Sequence, residues 1–224
     1  IAVYVLTGLR RNDPRAAEAA LKYFLMGAFA TGFLLFGIAL VFGATGSVAL
    51  KDVAMGTAGG MSAKPLLALG IVLLLIGLAF KIAAVPFHLW APDVYEGAPT
   101  PVTGFMAVGV KAAAFVGLLR LVVVGLGTEG ATGPVLVPML SALAYLTIIV
   151  GNILAAMQRN VKRMLAYSSI SHGGVILVGI AAMGLGAASA KGAILYYLVA
   201  YSATTIVAFA ALAYVGWDQF STLF

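Results

Sequence analysis

Cysteine is absent from the 224 residues, and charged residues make up only 9% of them. Without cysteine the chain cannot form disulfides, thiolate metal sites or cysteine-ligated iron–sulfur clusters. An ordinary soluble domain carries about a quarter charged residues, so the shortage of charge excludes that class. The hydrophobic share of 63% points the same way. The composition therefore predicts an integral membrane protein.

Long stretches without any charged residue divide the chain, and most exceed the roughly 20 residues that a helix needs to cross the hydrocarbon core. They are bounded by Lys22 and Lys51, Lys64 and Lys81, Glu129 and Arg159, Arg163 and Lys191, and Lys191 and Asp218. We predict an all-α polytopic bundle, with glycines at Gly173, Gly174 and Gly179 permitting close helix packing. One partial and six complete helices are expected, the first ending near Gly8 and the others covering about 19–43, 66–86, 102–126, 134–156, 169–186 and 192–216.

The basic residues indicate orientation and not a nucleic-acid partner, since they lie in short loops instead of forming one stripe. Membrane proteins carry more lysine and arginine in their cytoplasmic loops. One side of the predicted bundle holds Lys51, Lys64 and Lys191. The other holds twice as many and should be cytoplasmic, with Arg10, Arg11, Arg15, Arg159, Lys162 and Arg163.

Lys111 is the clearest anomaly, because it lies about nine residues into a predicted membrane helix. At 1.5 Å per residue this is about 14 Å from the helix start, near mid-membrane. An ionised lysine there costs at least ~2.5 kcal/mol, so it should face a wet interior or a carboxylate, or be neutral. The alternative is a lysine that extends to the interface, although its side chain is short for that distance.

Lys81 precedes Pro86 by five residues, and a proline there removes a backbone donor and breaks the helix. Membranes tolerate such a break only where protein or water covers the freed backbone groups. Lys81 is thus either a titratable lysine beside water or a lysine that reaches the interface. His88 follows two helical turns later, and its side chain suits proton exchange. It is equally compatible with an interfacial histidine just past the helix end.

Three further residues are secondary candidates. Glu18 and Lys22 stand four apart in the order that favours a helix-start ion pair, and the alternative is a role as charge partner for a buried lysine. His172 is expected in the first turn of its helix, after a cap at Ser168 or Ser169, where it is either interfacial or on a proton route. No metal-binding spacing, nucleotide loop or nucleophile–base set is visible.

The stretch FKIAAVPFHLWAPDVYEGAPTPVTGFMAVGVKAAAFVGLLRL at 80–121 resembles the antiporter-like, proton-conducting membrane subunits of NADH–quinone oxidoreductases (respiratory complex I) and of multisubunit cation/proton antiporters. EAALKYFLMGAF at 18–29 and NILAAMQRNVKRMLAYSSISHGG at 152–174 support it. The resemblance implies two inverted five-helix repeats, each with a discontinuous helix. Residues 1–127 would end the first repeat with a partial helix and three membrane helices, and 128–224 would begin the second with three more.

By the same resemblance, Lys81 matches the lysine of the broken helix, Lys111 that of the next helix, and His88 the histidine after the proline. A glutamate partner for Lys81 is expected just upstream of Ile1, and a further lysine beyond Phe224, so both ends are expected to be cut. No signal peptide is visible at Ile1. The chain itself should hold no cofactor, with NADH, flavin, iron–sulfur clusters and quinone bound by other subunits.

We therefore expect a non-redox proton-translocating subunit in the bacterial plasma membrane, with other membrane subunits, the lipid bilayer and protons as its partners. Quinone reduction elsewhere would drive the transfer. Two alternatives remain open: a cation/proton antiporter subunit using the same lysines, and a purely structural scaffold.

Overall fold

The computed structural model describes residues 1–10, 12–57, 65–126 and 133–216, and within these ranges the chain is helical with no strand. The helices there are α1 (Ala2–Thr7), α2 (Pro14–Thr45), α3 (Leu50–Thr57), α4 (Pro65–Ile82), α5 (Trp90–Gly97), α6 (Thr100–Leu126), α7 (Gly133–Ala156), α8 (Val161–Met183) and α9 (Ala190–Tyr214).

Six of these helices, α2, α4, α6, α7, α8 and α9, are long and apolar enough to cross a membrane. The predicted all-α polytopic membrane bundle is therefore confirmed. The division into two repeats stays a prediction, and its boundary near residue 127 lies outside the described residues.

Two helices begin earlier than predicted because polar residues upstream cap them. The Asp13 side chain accepts a hydrogen bond from the Arg15 amide at 2.9 Å, and proline follows at the first helical position, a position proline favours. The Asn160 side chain accepts from the amides of Lys162 and Arg163 at 2.9 and 3.2 Å. Capping of this kind satisfies amides that have no partner within the helix.

The predicted cap at Ser168 or Ser169 is therefore wrong, since α8 already begins at Val161. His172 was expected in the first turn and instead lies in the middle of this 23-residue helix. Lys162 and Arg163, expected in a loop, belong to the first turn of α8.

The predicted break after Lys81 is present, but α4 ends at Ile82 and not at 86. Ala83 follows with φ of 57°, in a left-handed region that residues with a side chain seldom adopt. The Val85 amide then donates to Thr147 Oγ1 of α7 at 3.0 Å. The Phe80 carbonyl accepts from the indole Nε1 of Trp90 at 3.0 Å. Protein side chains thus satisfy backbone groups that the break would otherwise leave unpaired.

About half of the segment between α4 and α6 forms the short helix α5. Two stretches of α6 are π-helical, Met106–Val110 and Leu121–Leu126. The first ends directly before Lys111, and single π-helical turns are frequent at functional sites.

The helices pack closely where glycine removes the side chain from an interface. A Cβ atom at Gly174 of α8 would stand 2.9 Å from the Ile148 amide nitrogen and 3.0 Å from the Ala144 carbonyl oxygen of α7. No real side chain fits at such distances without moving the backbone. The close packing predicted for this glycine is confirmed.

Candidate functional site

Lys111 lies inside the bundle, near the middle of α6, and only 4% of it is exposed. Its Nζ donates to two atoms of Ser169 on α8, the carbonyl oxygen at 2.5 Å and Oγ at 2.6 Å. Both acceptors are neutral. In the ranges that the structure describes, no carboxylate pairs with this lysine.

Hydroxyl groups extend this polar site from α8 to α9. Tyr201 donates from its hydroxyl to Ser169 Oγ at 2.8 Å. One turn along α8, Nδ1 of His172 lies 2.6 Å from the Tyr197 hydroxyl oxygen. Tyr201 and His172 also contact through their rings, with centroids 5.2 Å apart. Lys111 is therefore joined to a continuous run of titratable and hydroxyl groups between α8 and α9.

A cavity of about 190 Å³ adjoins this run, which is room enough for water beside polar groups. It is lined partly by serine and threonine hydroxyls and by the rings of His172 and Tyr201. The lining residues are Leu165, Ser168, Ser169, His172, Tyr201, Thr204, Thr205, Ala208 and Phe209.

Lys81 is the penultimate residue of α4 and is half-buried at the break. Its Nζ donates to the Tyr4 hydroxyl oxygen at 3.2 Å. The same nitrogen lies 5.6 Å from the centre of the Tyr4 ring and 6.0 Å from the centre of the Phe80 ring. Since Nζ is much nearer to the Tyr4 hydroxyl than to the ring centre, it lies at the hydroxyl edge of this ring and its contact with Tyr4 is the hydrogen bond.

Gly173 of α8 lies between the two lysine-bearing helices. A Cβ atom there would stand 3.7 Å from Lys111 Nζ and 3.6 Å from the Ile82 carbonyl oxygen, at the end of α4. Lys81 is the residue before Ile82. The structure thus brings the Lys111 ammonium and the broken end of α4 to the same glycine.

His88 follows the break and is buried, with 7% of it exposed. Its Nδ1 has no hydrogen-bond partner among the described residues. Burial lowers the pKa of His88 below its ordinary value, because a charged imidazolium is poorly solvated there. His88 is therefore enclosed by protein beside the break, and both of its interpretations stay open.

Glu18 and Lys22 lie on the outside of the bundle, where their side chains pair at 2.6 Å and are 65% and 44% exposed. This is the helix-start ion pair and not a contact with Lys81 or Lys111. Lys22 also pairs with Asp93 of α5 at 3.1 Å. Arg163 of α8 pairs with the other carboxylate oxygen of Asp93 at 2.6 Å.

Asp93 and Glu96 of α5 are thus joined to two neighbouring helices. The Glu96 carboxylate accepts from Arg163 at 2.9 Å and from the Asn160 side-chain amide at 3.1 Å. Lys162, 4% exposed, donates to the Ala98 carbonyl oxygen at 3.1 Å. We call the ion-paired set Lys22, Asp93, Glu96 and Arg163 the α2–α5–α8 clasp.

The clasp brings together segments that were all predicted to be cytoplasmic. Residues near Arg15 begin α2, α5 lies between the broken helix and α6, and Arg163 begins α8. Their contacts place these ends on one side of the bundle. Arg11 and Lys64, which entered the orientation argument, lie outside the described residues, and the cytoplasmic assignment itself stays a prediction.

The residues that sequence reasoning missed are neutral: Tyr4, Thr147, Ser169, Tyr197 and Tyr201. Charged residues stand out in an apolar chain, whereas hydroxyl groups occur in every described helix except α4 and carry no such signal. The spacing of Ser169 and His172 on one helix, with two tyrosines four apart on the next, was the available hint. In the described ranges no three His, Asp or Glu side chains form a metal-binding group, and the expectation that the chain holds no cofactor stays a prediction.

The fold and these buried groups define a polytopic helical membrane protein with ionisable side chains inside its bundle. The sequence profile described as NADH:quinone oxidoreductase/Mrp antiporter, transmembrane, matches residues 1–222. The chain belongs to this family, as the resemblance of 80–121 implied.

Named relatives agree with this assignment. NADH-quinone oxidoreductase subunit N of Gemmatimonas aurantiaca is 50% identical over 212 residues, which are 95% of this chain and 40% of that protein. A chain of respiratory complex I from Thermus thermophilus is 44% identical, with a TM-score of 0.76, over 95% of this chain and 43% of that one. A chain of an archaeal membrane-bound sulfane sulfur reductase is 32% identical, with a TM-score of 0.83, over 96% and 42%. The chain spans less than half the length of these relatives.

Proposed function

We propose that the full-length protein translocates protons across the membrane as a non-redox subunit of an NADH–quinone oxidoreductase. The observation that carries this proposal is Lys111, an amine buried in the middle of a membrane-spanning helix and held by neutral oxygens at 2.5 and 2.6 Å. An ionised lysine inside the membrane costs free energy, and such residues commonly mark ion or proton pathways.

The groups around Lys111 support a relay. Ser169, Tyr201 and His172 each carry a proton that can move along a hydrogen bond, and a polar cavity lies beside them. On the other side, Gly173 leaves the space between Lys111 and the end of α4 without a side chain. Protons would pass between Lys81 and Lys111 across this space and continue toward α9.

Lys81 would be the switching site, controlled by a carboxylate that approaches and retreats. No carboxylate contacts Lys81 in the described part of the chain, and the glutamate expected upstream of Ile1 is the predicted partner. His88 would connect this site to the cytoplasm. Its buried Nδ1 is available to accept a proton or a water hydrogen.

The energy would come from outside this chain. Relatives named as subunits of NADH-quinone oxidoreductase support an assembly in which other subunits bind NADH, flavin, iron–sulfur clusters and quinone. Other membrane subunits, the lipid bilayer and protons would then be the partners of this chain. It would lie in a bacterial plasma membrane, with the clasp and the ends near Arg10 and Arg159 on the cytoplasmic side.

Replacing Lys111 by alanine tests the proposal in the complete complex. We expect the Lys111→Ala complex to assemble and oxidise NADH but to translocate fewer protons per NADH in membrane vesicles. Lys191→Ala is the matched control, since Lys191 is exposed in the first turn of α9 and should change nothing. An unchanged proton ratio in Lys111→Ala would overturn the relay.

Other outcomes of the same experiment identify the two rival functions. Loss of assembly in Lys111→Ala, with no change in proton ratio in the remaining complexes, would indicate a scaffold. Sodium-dependent proton movement without NADH would indicate a cation/proton antiporter. Lys81→Arg sharpens the test, because arginine keeps the charge but cannot release its proton near neutral pH, so translocation should fall while assembly is retained.

A further inference from the structure

We propose that Tyr4 is a positioning residue for Lys81, whose ammonium it holds at the broken end of α4 through its hydroxyl oxygen. The inference rests on the proposed function, since it assigns Tyr4 a part in the same proton site. It also names a neutral partner for a lysine whose partner was expected to be acidic.

The contacts of Lys81 carry the first step. In the described ranges, its Nζ makes one hydrogen bond, to the Tyr4 hydroxyl oxygen at 3.2 Å, and lies 5.6 Å from the centre of the same ring. A phenol oxygen is a neutral acceptor for an ammonium group. Tyr4 can therefore hold the Lys81 ammonium in place without adding a charge to the site.

A glycine on α2 leaves room for the Tyr4 hydroxyl. A Cβ atom at Gly27 would overlap the Tyr4 hydroxyl oxygen and stand 2.8 Å from ring carbon Cζ. The Tyr4 hydroxyl therefore packs against the backbone of α2 at Gly27, in the space that a side chain would fill.

Stacked rings then fix Tyr4 relative to the break. Tyr4 meets Tyr23 of α2 edge-to-face, with centroids 4.5 Å apart, and Tyr23 stacks on Trp90 of α5 at 4.7 Å. Trp90 in turn donates to the carbonyl oxygen of Phe80, the residue before Lys81. A closed path of contacts therefore joins Tyr4, α5 and the end of α4. It keeps the Lys81 amine and the Tyr4 hydroxyl at hydrogen-bonding distance.

Tyr4→Phe is the direct test, because it keeps the ring and the stack and removes only the acceptor. The Lys81 ammonium would lose the hydrogen bond that holds it at the break, so the dependence of proton translocation on pH should shift. This dependence is measured with the complete complex in vesicles. Assembly and NADH oxidation should be retained.

A matched variant isolates the hydroxyl. Tyr196→Phe removes the hydroxyl of a tyrosine that is 78% exposed and should leave the pH profile in place. A shift of similar size in Tyr196→Phe would overturn the specific assignment to Tyr4.

Gly27→Ala provides a second route to the same result. The added methyl group must displace the Tyr4 hydroxyl, so this variant should reproduce the shift, and it should add no further shift to Tyr4→Phe. An unchanged pH profile in both Tyr4→Phe and Gly27→Ala would overturn the inference. If Lys81→Ala still lowers translocation in that case, the proposed function stands; if Lys81→Ala has no effect, the proposed function fails as well.

Discussion

Gly173 faces Lys111 across a gap that an alanine methyl group would fill, at 3.7 Å from the ammonium nitrogen. The same methyl group would stand 3.6 Å from the Ile82 carbonyl oxygen, beside Lys81. Buried Lys111 and the broken end of α4, which carries half-buried Lys81, therefore meet at a position where α8 presents only backbone. Both distances are ordinary van der Waals contacts, so an alanine should fit at this position. Its effect on proton transfer can therefore be measured without a packing defect.

Gly173→Ala should lower proton translocation without destabilising the protein. Its methyl group meets no atom closer than the Phe115 ring at 3.5 Å, and alanine favours a helix over glycine by up to about 1 kcal/mol. The free energy of unfolding should therefore stay level or rise slightly, while the number of protons moved per NADH falls. The measurements are thermal unfolding of the purified complex and proton uptake in vesicles.

Gly192→Ala is the control for this change, since nothing lies within 4 Å of a Cβ atom at Gly192 of α9. It should share any gain in helix stability and leave translocation unaltered. Equal translocation in the two variants would mean that the space at Gly173 is not on the proton route.

The fold was predictable from the sequence because its strongest signal is the spacing of charges. Five of the six membrane-spanning helices follow from the charge-free runs, and all six are present, including α6, which carries Lys111 and Arg120. The ends were harder to predict, since they depend on single caps. Asn160 begins α8 eight residues before the predicted start, and Ser169, which suggested a later cap, instead accepts from Lys111.

The site was predictable only in its charged members. Lys81 and Lys111 stand out against an apolar background, and the structure places both at polar contacts inside the bundle or at its break. Their partners Tyr4, Ser169 and Tyr201 have side chains common in any membrane helix. Such neutral partners are selected by three-dimensional position, which no spacing within a single helix reveals.

Thr147 should stabilise the break in α4 through one hydrogen bond. It is 1% exposed and accepts from the Val85 amide at 3.0 Å. Thr147→Val keeps the shape but leaves that buried amide unpaired, which costs about 1–3 kcal/mol. We expect a lower unfolding temperature and faster hydrogen exchange at the Val85 amide.

Thr204→Val is the matched substitution for this test. The Thr204 hydroxyl bonds only to carbonyl oxygens of its own helix, those of Ala200 and Tyr201, so its loss should change stability little. Equal losses of stability in Thr147→Val and Thr204→Val would contradict the role of Thr147. They would show that the break in α4 does not depend on the hydrogen bond from the Val85 amide.

The α2–α5–α8 clasp should weaken in acid through Asp93. Burial opposes ionisation of this carboxyl, but hydrogen bonds from Arg163 and Lys22 outweigh it and hold the pKa of Asp93 below its ordinary value of 3.8. A carboxyl whose pKa is lowered by folding adds stability that is present above its unfolded pKa and is lost as the pH falls through the folded pKa. The contribution should therefore persist at neutral pH and disappear below about pH 4.

Asp93→Asn removes this charge at every pH and so isolates the effect. At pH 7 the variant should be less stable than the wild type by about 1 kcal/mol or less, because the pairs are partly exposed. The difference should shrink toward zero as the pH falls below 3.8. Asp52→Asn, at a carboxylate with no ion pair in the described ranges, should show no such trend. Thermal unfolding of the purified complex between pH 3 and pH 7 measures both, and a difference for Asp93→Asn that stays constant with pH would show that the clasp does not depend on its ionisation.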